Sequence, residues 1–277
     1  MTSAADLHGA SRASRAAVEQ RLGELAAAAG FDPQTVGEEL FAVVALLNAE
    51  HGVRRTLVDT TRPAQARAEM VASLFDGRVS APSVELLKTA VAHRWTRGHD
   101  LTDTLERCGV IVTLDAAERA GAGEDVEDEL FRFARLVDGN PGLRRALSDE
   151  SAPAESKNAL LDQLLGSRAT AVTGRLVAEA VTQARGRSIE ATIEGYARTA
   201  AERRRQLVAH VVSAVALTDE QRTRLAGALS RQYGTAIHLD VQVDPTMAGG
   251  IKVQLGDEVI DGTIDTRLAE ARRRLAG

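Results

Sequence analysis

Cysteine is almost missing from this chain: Cys108 stands alone in 277 residues. A disulfide framework or a cysteine-built zinc site is therefore excluded, and such sparse use fits a reducing compartment. Aromatic residues make up only 3%. A basic excess is lacking too: 34 lysines and arginines face 39 acids, a formal charge of −5, which speaks against a nucleic-acid partner. The longest apolar run, Leu40–Leu47, falls far short of the roughly 18–20 residues that span a bilayer. Met1–Ala10 shows no charged stretch leading into an apolar one, so no signal peptide is expected. What is there is 44% apolar and 26% charged, the make-up of a soluble, intracellular, largely helical protein. At about 100–200 residues per domain, two or three domains are expected.

The chain repeats itself. A shift of ninety places sets Leu40-Phe41 on Leu130-Phe131, and the register then holds for about fifty residues. Gly52-Val53-Arg54-Arg55-Thr56-Leu57 falls on Gly142-Leu143-Arg144-Arg145-Ala146-Leu147, Asp59 on Asp149, Pro63-Ala64 on Pro153-Ala154 and Ala90-Val91 on Ala180-Val181. Arg97-Gly98 finds Arg185-Gly186 after a slip of two residues. Matches in this order imply a duplication. Each copy reads as a string of short helices. In the second, Leu130, Phe133, Ala134 and Val137 form one amphipathic stripe, with Gly142 as its stop. Pro153 then sits in the first turn of a new helix with Ser151 as cap, and Gly166-Ser167 end that helix. A longer helical stretch from 171 to 206 breaks near Gly186. Ala16–Ala29, ended by Gly30, fronts the first copy, and 103–120 fronts the second, although Val110-Ile111-Val112-Thr113 is strand-like by propensity. Gly121-Ala122-Gly123 turns into a helix that opens on acids, where the helix dipole favours them.

Past Gln206 the texture changes. The run 207–215 alternates and is β-branched, so it reads as a strand. Thr218-Asp219-Glu220-Gln221 forms a capping box for a helix reaching Gly234. Ile237, Leu239, Val241 and Val243 alternate as a second strand. Ile251, Val253 and Leu255 form a third, Gly256-Asp257 turn, and Val259-Ile260 return as its partner. Asp265 caps a last helix carrying Leu268, Ala271, Arg272 and Leu275. The expected architecture is mainly α, with two tandem helical-bundle copies, 1–103 and 104–206, followed by a small α/β module, 207–277.

No catalytic constellation stands out, and no cofactor or metal site is expected. His93 and His99 are six apart, off the spacing that sets two imidazoles on one helical face. Gly249-Gly250 and Gly256–Gly262 lack the Gly-Lys-Ser/Thr of a phosphate loop, and their simpler role is backbone at positive φ. Asp257, Asp261 and Asp265 lie on turn and strand without facing partners. Cys108 reads as a small buried apolar residue. Arg203–Arg205 and Arg272–Arg274 fall near helix C-termini, where cations are favoured.

The run from Asp244 to Leu268 resembles the C-terminal signature of the F-type ATP synthase delta subunit family, which includes the oligomycin-sensitivity-conferring protein. The residues that carry the resemblance are the pair Gly249-Gly250, the acid Asp261, the small pair Gly262-Thr263 where a serine is usual, and Arg267-Leu268. Ser213–Gln221 looks like the family's strand leading into a capped helix. Leu143–Leu147 with Pro153 and Lys157 is similar to its helical domain. The resemblance runs from about Thr104 to the C-terminus, and the doubled helical region looks like the extended, actinobacterial form.

The resemblance implies a non-catalytic stator subunit. It would join the alpha subunits of the catalytic head, whose amphipathic N-terminal helices enter an apolar groove, to the b subunits of the peripheral stalk, so that proton-driven rotation is coupled to ATP synthesis. It would sit at the cytoplasmic face of the cell membrane, associated with it only through the complex. Candidate alpha contacts are Leu22, Leu25, Val36 and Leu40. Candidate stalk contacts are Leu268, Arg272 and Leu275. A soluble helical-repeat adaptor for other proteins is the competing reading.

Overall fold

A computed structural model describes residues 9–149, 151–184, 186–206, 208–233, 237–247, 249–256 and 258–262. The chain divides into two compact units, Met1–Ala200 and Ala201–Gly277.

The first unit is helical: α1 (Ala10–Ala26), α2 (Pro33–Ala49), α3 (His51–Leu57), α4 (Ala64–Phe75), α5 (Ala81–Ala92), α6 (Gly98–Arg119), α7 (Gly123–Asp138), α8 (Pro141–Ser148), α9 (Ala154–Leu165), α10 (Ala171–Thr182) and α11 (Ile189–Gln206). The duplication is built into these boundaries: α9 starts at 154 where α4 starts at 64, and α10 at 171 where α5 starts at 81, ninety residues apart in both cases. It reaches the polar contacts as well. Glu39 on α2 accepts hydrogen bonds from the Ser80 amide and from the Ser80 and Ser83 hydroxyls at 2.5–2.7 Å. Glu129 on α7 does the same for Thr170 and Thr173 at 2.6–3.0 Å. In each copy a carboxylate on the second helix thus caps the N-terminus of the fifth, the end where negative charge is favoured. Asp59 with Thr61 and Asp149 with Ser151 likewise make the same turn before a proline.

One helix serves both copies. Leu101, Leu105, Cys108 and Val112 of α6 complete the first core, with Val18, Leu22, Leu40, Val71 and Leu86. Val110, Leu114 and Ala117 of the same helix enter the second, with Leu130, Phe133, Leu147 and Leu176. Val110 and Val112 are two residues apart, about 200° of helical rotation, so the two stripes lie on opposite faces. The boundary expected between 103 and 104 falls inside this helix. Core residues Ile189, Ile193, Tyr196 and Ala200 of α11 follow Leu101, Leu105, Cys108 and Val112 at a shift of 88, which is the two-residue slip read at Arg97-Gly98. The Val110–Thr113 stretch is helical despite its strand propensity, because both of its faces are buried in helical cores.

Three local expectations are corrected. The helix carrying Leu130 and Phe133 ends at Gly139, and Gly142 lies in the first turn of α8, capped by Asn140. Ser151 does not cap α9: its hydroxyl donates to Asp149. Pro153 takes the N-cap position of α9 in extended conformation rather than its first turn. The breaks at Gly30, Gly121, Gly166 and Gly186 stand at positive φ, as the turn positions suggested.

The second unit holds β1 (Val208–Ser213), α12 (Asp219–Tyr233), β2 (His238–Val243), β3 (Ile251–Leu255) and β4 (Glu258–Asp261). Their sheet order is β2-β1-β3-β4. Strands β1 and β2 are parallel through the α12 crossover, and β3 and β4 return antiparallel. Leu225 and Leu229 of α12 pack on Ala209, Val211, Val241, Val253 and Leu255. The capping box is formed: the Thr218 hydroxyl accepts from the Gln221 amide, and the Gln221 side chain accepts from the Thr218 amide. The helix expected from Asp265 lies outside the described residues.

The seam between the copies is drawn tight by two glycines. A Cβ on Gly109 of α6 would stand 2.9 Å from the Phe41 ring of α2, and one on Gly37 would stand 2.7 Å from the Thr113 hydroxyl. Gly109→Ala should lower the thermal midpoint of the chain, with overpacking outweighing the helix-propensity gain by about 1–2 kcal/mol. Adding Phe41→Leu should recover part of the loss. An unchanged midpoint for the single variant would show that the ring moves freely.

Candidate functional site

The apolar residues named as alpha contacts lie inward. Leu22, Val36 and Leu40 are buried in the first core, and Leu25 is half-buried against it. They set the helices that any groove would use. The large apolar side chains exposed on the described surface of the helical unit are Leu46, Phe131 and Leu136. Leu46 and Leu136 are counterparts at the ninety-residue shift, off the buried stripe in both copies. Phe131 is the counterpart of Phe41, yet Phe41 is 6% exposed and Phe131 50%. The Arg135 guanidinium lies 4.7 Å from the Phe131 ring centroid, a cation–π stack in the open. These residues were visible in the sequence as apolar positions off the helical stripe, but stripe reasoning selects the core and passes over them.

An open groove of about 550 Å³ runs between α9 and α10, lined by Leu161, Leu165, Ala169, Gly174 and Ala178, with Asn158, Asp162 and Arg175 among its polar groups. Arg175 pairs with Glu38 of the first copy at 2.8 Å.

The motif residues of the C-terminal module act on the backbone. Gly249 and Gly250 stand at φ 130° and 89°, which side chains with a Cβ rarely adopt. Asp261 ends β4 opposite Lys252. The Gly262 amide donates to the Ile251 carbonyl at 2.9 Å, and a Cβ there would lie 3.2 Å from that oxygen. Arg267, Leu268, Arg272 and Leu275 lie outside the described residues. Arg203 and Arg204 fall in the last turn of α11.

Among the described residues, polar groups inside the helical unit tie helices together. Glu106, 2% exposed, receives two hydrogen bonds from Arg187 at 2.7 and 2.9 Å and one from the Tyr196 hydroxyl at 2.5 Å. Arg107 reaches Glu19 on α1 and Thr199 on α11, each at 2.8 Å. Among the described residues no three His, Cys, Asp or Glu side chains gather as a metal site would require. Cys108 is fully buried, and burial pushes its thiol up, away from the thiolate form. No helix among the described residues is long and apolar enough to cross a membrane.

Glu179 on α10 is the strained member of this set. Burial raises its carboxyl to about 7, against a smaller downward pull from Arg187, and one carboxylate oxygen is buried without a hydrogen-bond partner. The folded chain holds this proton more tightly than the unfolded chain, whose carboxyl titrates near 4.5. The contribution of this group to stability is therefore fully present below that value and is lost as pH rises through about 7, by up to roughly 3 kcal/mol. Glu179→Gln should flatten the fall in thermal midpoint between pH 5 and 8. An unaltered pH profile would place the titration elsewhere.

Comparison with known proteins gives these features a family. The family model described as ATP synthase delta (OSCP) subunit matches residues 112–275. ATP synthase subunit delta of Streptomyces avermitilis is 48% identical over 269 residues, covering 97% of this chain and 98% of its own. That of Kineococcus radiotolerans is 47% identical over 269 residues with the same coverage, and that of Thermobifida fusca 42% over 271 residues, 98% of this chain and all of its own. These relatives extend the match through the first helical copy, which the family model leaves out. By both the model and the full-length relatives, the chain belongs to the ATP synthase delta (OSCP) subunit family.

Proposed function

We propose that the chain is the delta subunit of an F-type ATP synthase, a structural subunit that performs no chemistry itself. It joins the N-termini of the alpha subunits in the catalytic head to the b subunits of the peripheral stalk, holding the head still while proton-driven rotation is coupled to ATP synthesis. The observation that carries this reading is the family membership over nearly the whole chain. The architecture supports it: two helical copies share a helix, and buried Glu106 ties that helix to Arg187, as a part that resists torque requires. Its place at the cytoplasmic face of the membrane follows from the complex, with attachment through the stalk.

In this reading the helical unit takes amphipathic alpha helices on grooves framed by helices that Leu22, Leu25, Val36 and Leu40 hold in place. The C-terminal module, through the segment with Leu268, Arg272 and Leu275, meets the ends of the b helices. Affinity in such helix-in-groove contacts comes from buried apolar anchors. Several modest contacts on one body add through effective concentration.

Removing 1–100 is a poor test of the extra copy, because it would strip the first-core face of α6. The full chain titrated calorimetrically with the N-terminal peptide of the cognate alpha subunit is cleaner. Saturable binding at one or two peptides per chain is expected, and the ratio tells whether one copy or both receive it. No heat at several temperatures, with no change in peptide helicity, would contradict the reading.

A further inference from the structure

Arg54 of α3 and Arg144 of α8 are counterparts at the ninety-residue shift, but only one of them has an acid to hold. Arg144 pairs with Asp138 at 3.0 Å and with Glu190 in the first turn of α11. The counterparts of those acids in the first copy are Asn48 and, at the shift of 88, Thr102. Neither takes their part: both amide atoms of Asn48 are buried without a hydrogen-bond partner, and the Thr102 hydroxyl donates to the His99 carbonyl. Arg54 donates to the Leu47 carbonyl at 3.3 Å and forms no ion pair among the described residues. Its Nε stands 3.8 Å from where a Cβ on Gly98 would lie, at the first residue of α6, a helix end that carries positive partial charge. Asp100, the acid of that turn, is already taken: it is buried and accepts from the Ser11 hydroxyl and the Arg97 amide. Arg94 and Arg97, exposed on the turn from α5 into α6, add two more guanidinium groups without an ion pair among the described residues. That turn is pinned through its backbone, since Arg67 donates to the Ala92 and His93 carbonyls, Ser14 to that of Arg94, and the Thr96 amide to Ser11.

We propose that Arg54, with Arg94 and Arg97 on the adjoining turn, binds an aspartate or glutamate side chain of a neighbouring subunit, which takes the place that Asp138 and Glu190 take for Arg144. A planar guanidinium offers paired donors that match a carboxylate, and a turn fixed beforehand loses little freedom on binding. A polyanion fits less well. The whole chain carries a charge of −5, which repels one at range. The turn's one aromatic, Trp95, is 8% exposed with its indole N–H on the Ala90 carbonyl, so it presents no ring to stack on a base or enter lipid. The first copy thus has the basic group without the acids that satisfy it within the chain in the second. The proposal rests on the stator reading, since it takes the acid from the same complex.

The test uses intact ATP synthase carrying Arg54→Lys, treated with a carbodiimide, which joins an amine to a carboxylate in contact with it. The expected result is a coupling from residue 54 to an Asp or Glu of another subunit, located by mass spectrometry. Arg144→Lys should couple within the chain, to Asp138 or Glu190, and serves as the control. Arg54→Gln should weaken rebinding of the chain to synthase depleted of it by about three- to five-fold at low ionic strength, a gap that closes at high ionic strength, where the pair is screened. No coupling at residue 54 where the control couples, or coupling only to the chain's own acids, overturns the proposal and leaves the stator reading standing. A binding loss that ignores ionic strength, or no loss, overturns it too. So does a phosphate-specific rise in the free chain's thermal midpoint that Arg54→Gln abolishes, with no coupling to another subunit, because the site then belongs to a small anion. Absence of the wild-type chain from the complex would sink the stator reading, and this proposal with it.

Discussion

The helical unit depends on α6 having two buried faces. Leu101, Leu105, Cys108 and Val112 on one side and Val110, Leu114 and Ala117 on the other make one rod the last helix of one bundle and the first of the next. A helix apolar on both sides has no solvent face to spare, so neither bundle can move away without exposing a core stripe to water. The neighbouring contacts serve the same end. Gly37 and Gly109 let α2 approach α6 closely. Arg107 reaches from α6 to α1 on one side and α11 on the other. Buried Glu106 gathers Arg187 and Tyr196 around the same helix. A duplicated domain would ordinarily hang on a linker; here the linker has become shared core.

Given a common frame, the copies are free to differ at the surface. Phe41 is covered at the seam while Phe131 stands open. Gly37, which permits the close approach of α2, is answered by Glu127 in the second copy. Phe75 and Val84, which close the α4–α5 groove, are answered by Leu165 and Gly174. The retained features are those that fix the bundle, such as the carboxylate caps at Glu39 and Glu129. The altered ones change which side chains the seam and the surface present.

Much of the fold was legible in the sequence because duplication and periodicity are local patterns. The ninety-residue register set Pro63 against Pro153 and Gly52 against Gly142, and the helix boundaries follow it. The capping box at Thr218 and the alternation of β2 and β3 were equally plain, since caps and alternation need only neighbouring residues. What escaped was three-dimensional. That Val110 and Val112 serve different cores follows only when both bundles are in place. Serine before a helix usually caps it, yet Asp149 two residues earlier captures the Ser151 hydroxyl. The open groove left no pattern in either copy read alone. It shows only when Phe75 and Leu165, or Val84 and Gly174, are set side by side with the space between the helices known.

The account's central claim is that α6 binds two bundles into one cooperative body. Native-state hydrogen exchange on the full chain, comparing the wild type with Leu105→Ala, tests it most directly. Leu105 faces only the first core, and truncating it costs about 2–5 kcal/mol. If the bundles are one body, protection should fall together in the first core and at second-core helices such as α7 and α10. Loss confined to α1–α5, with α7 and α10 unmoved, would show two independent bundles that merely share a helix.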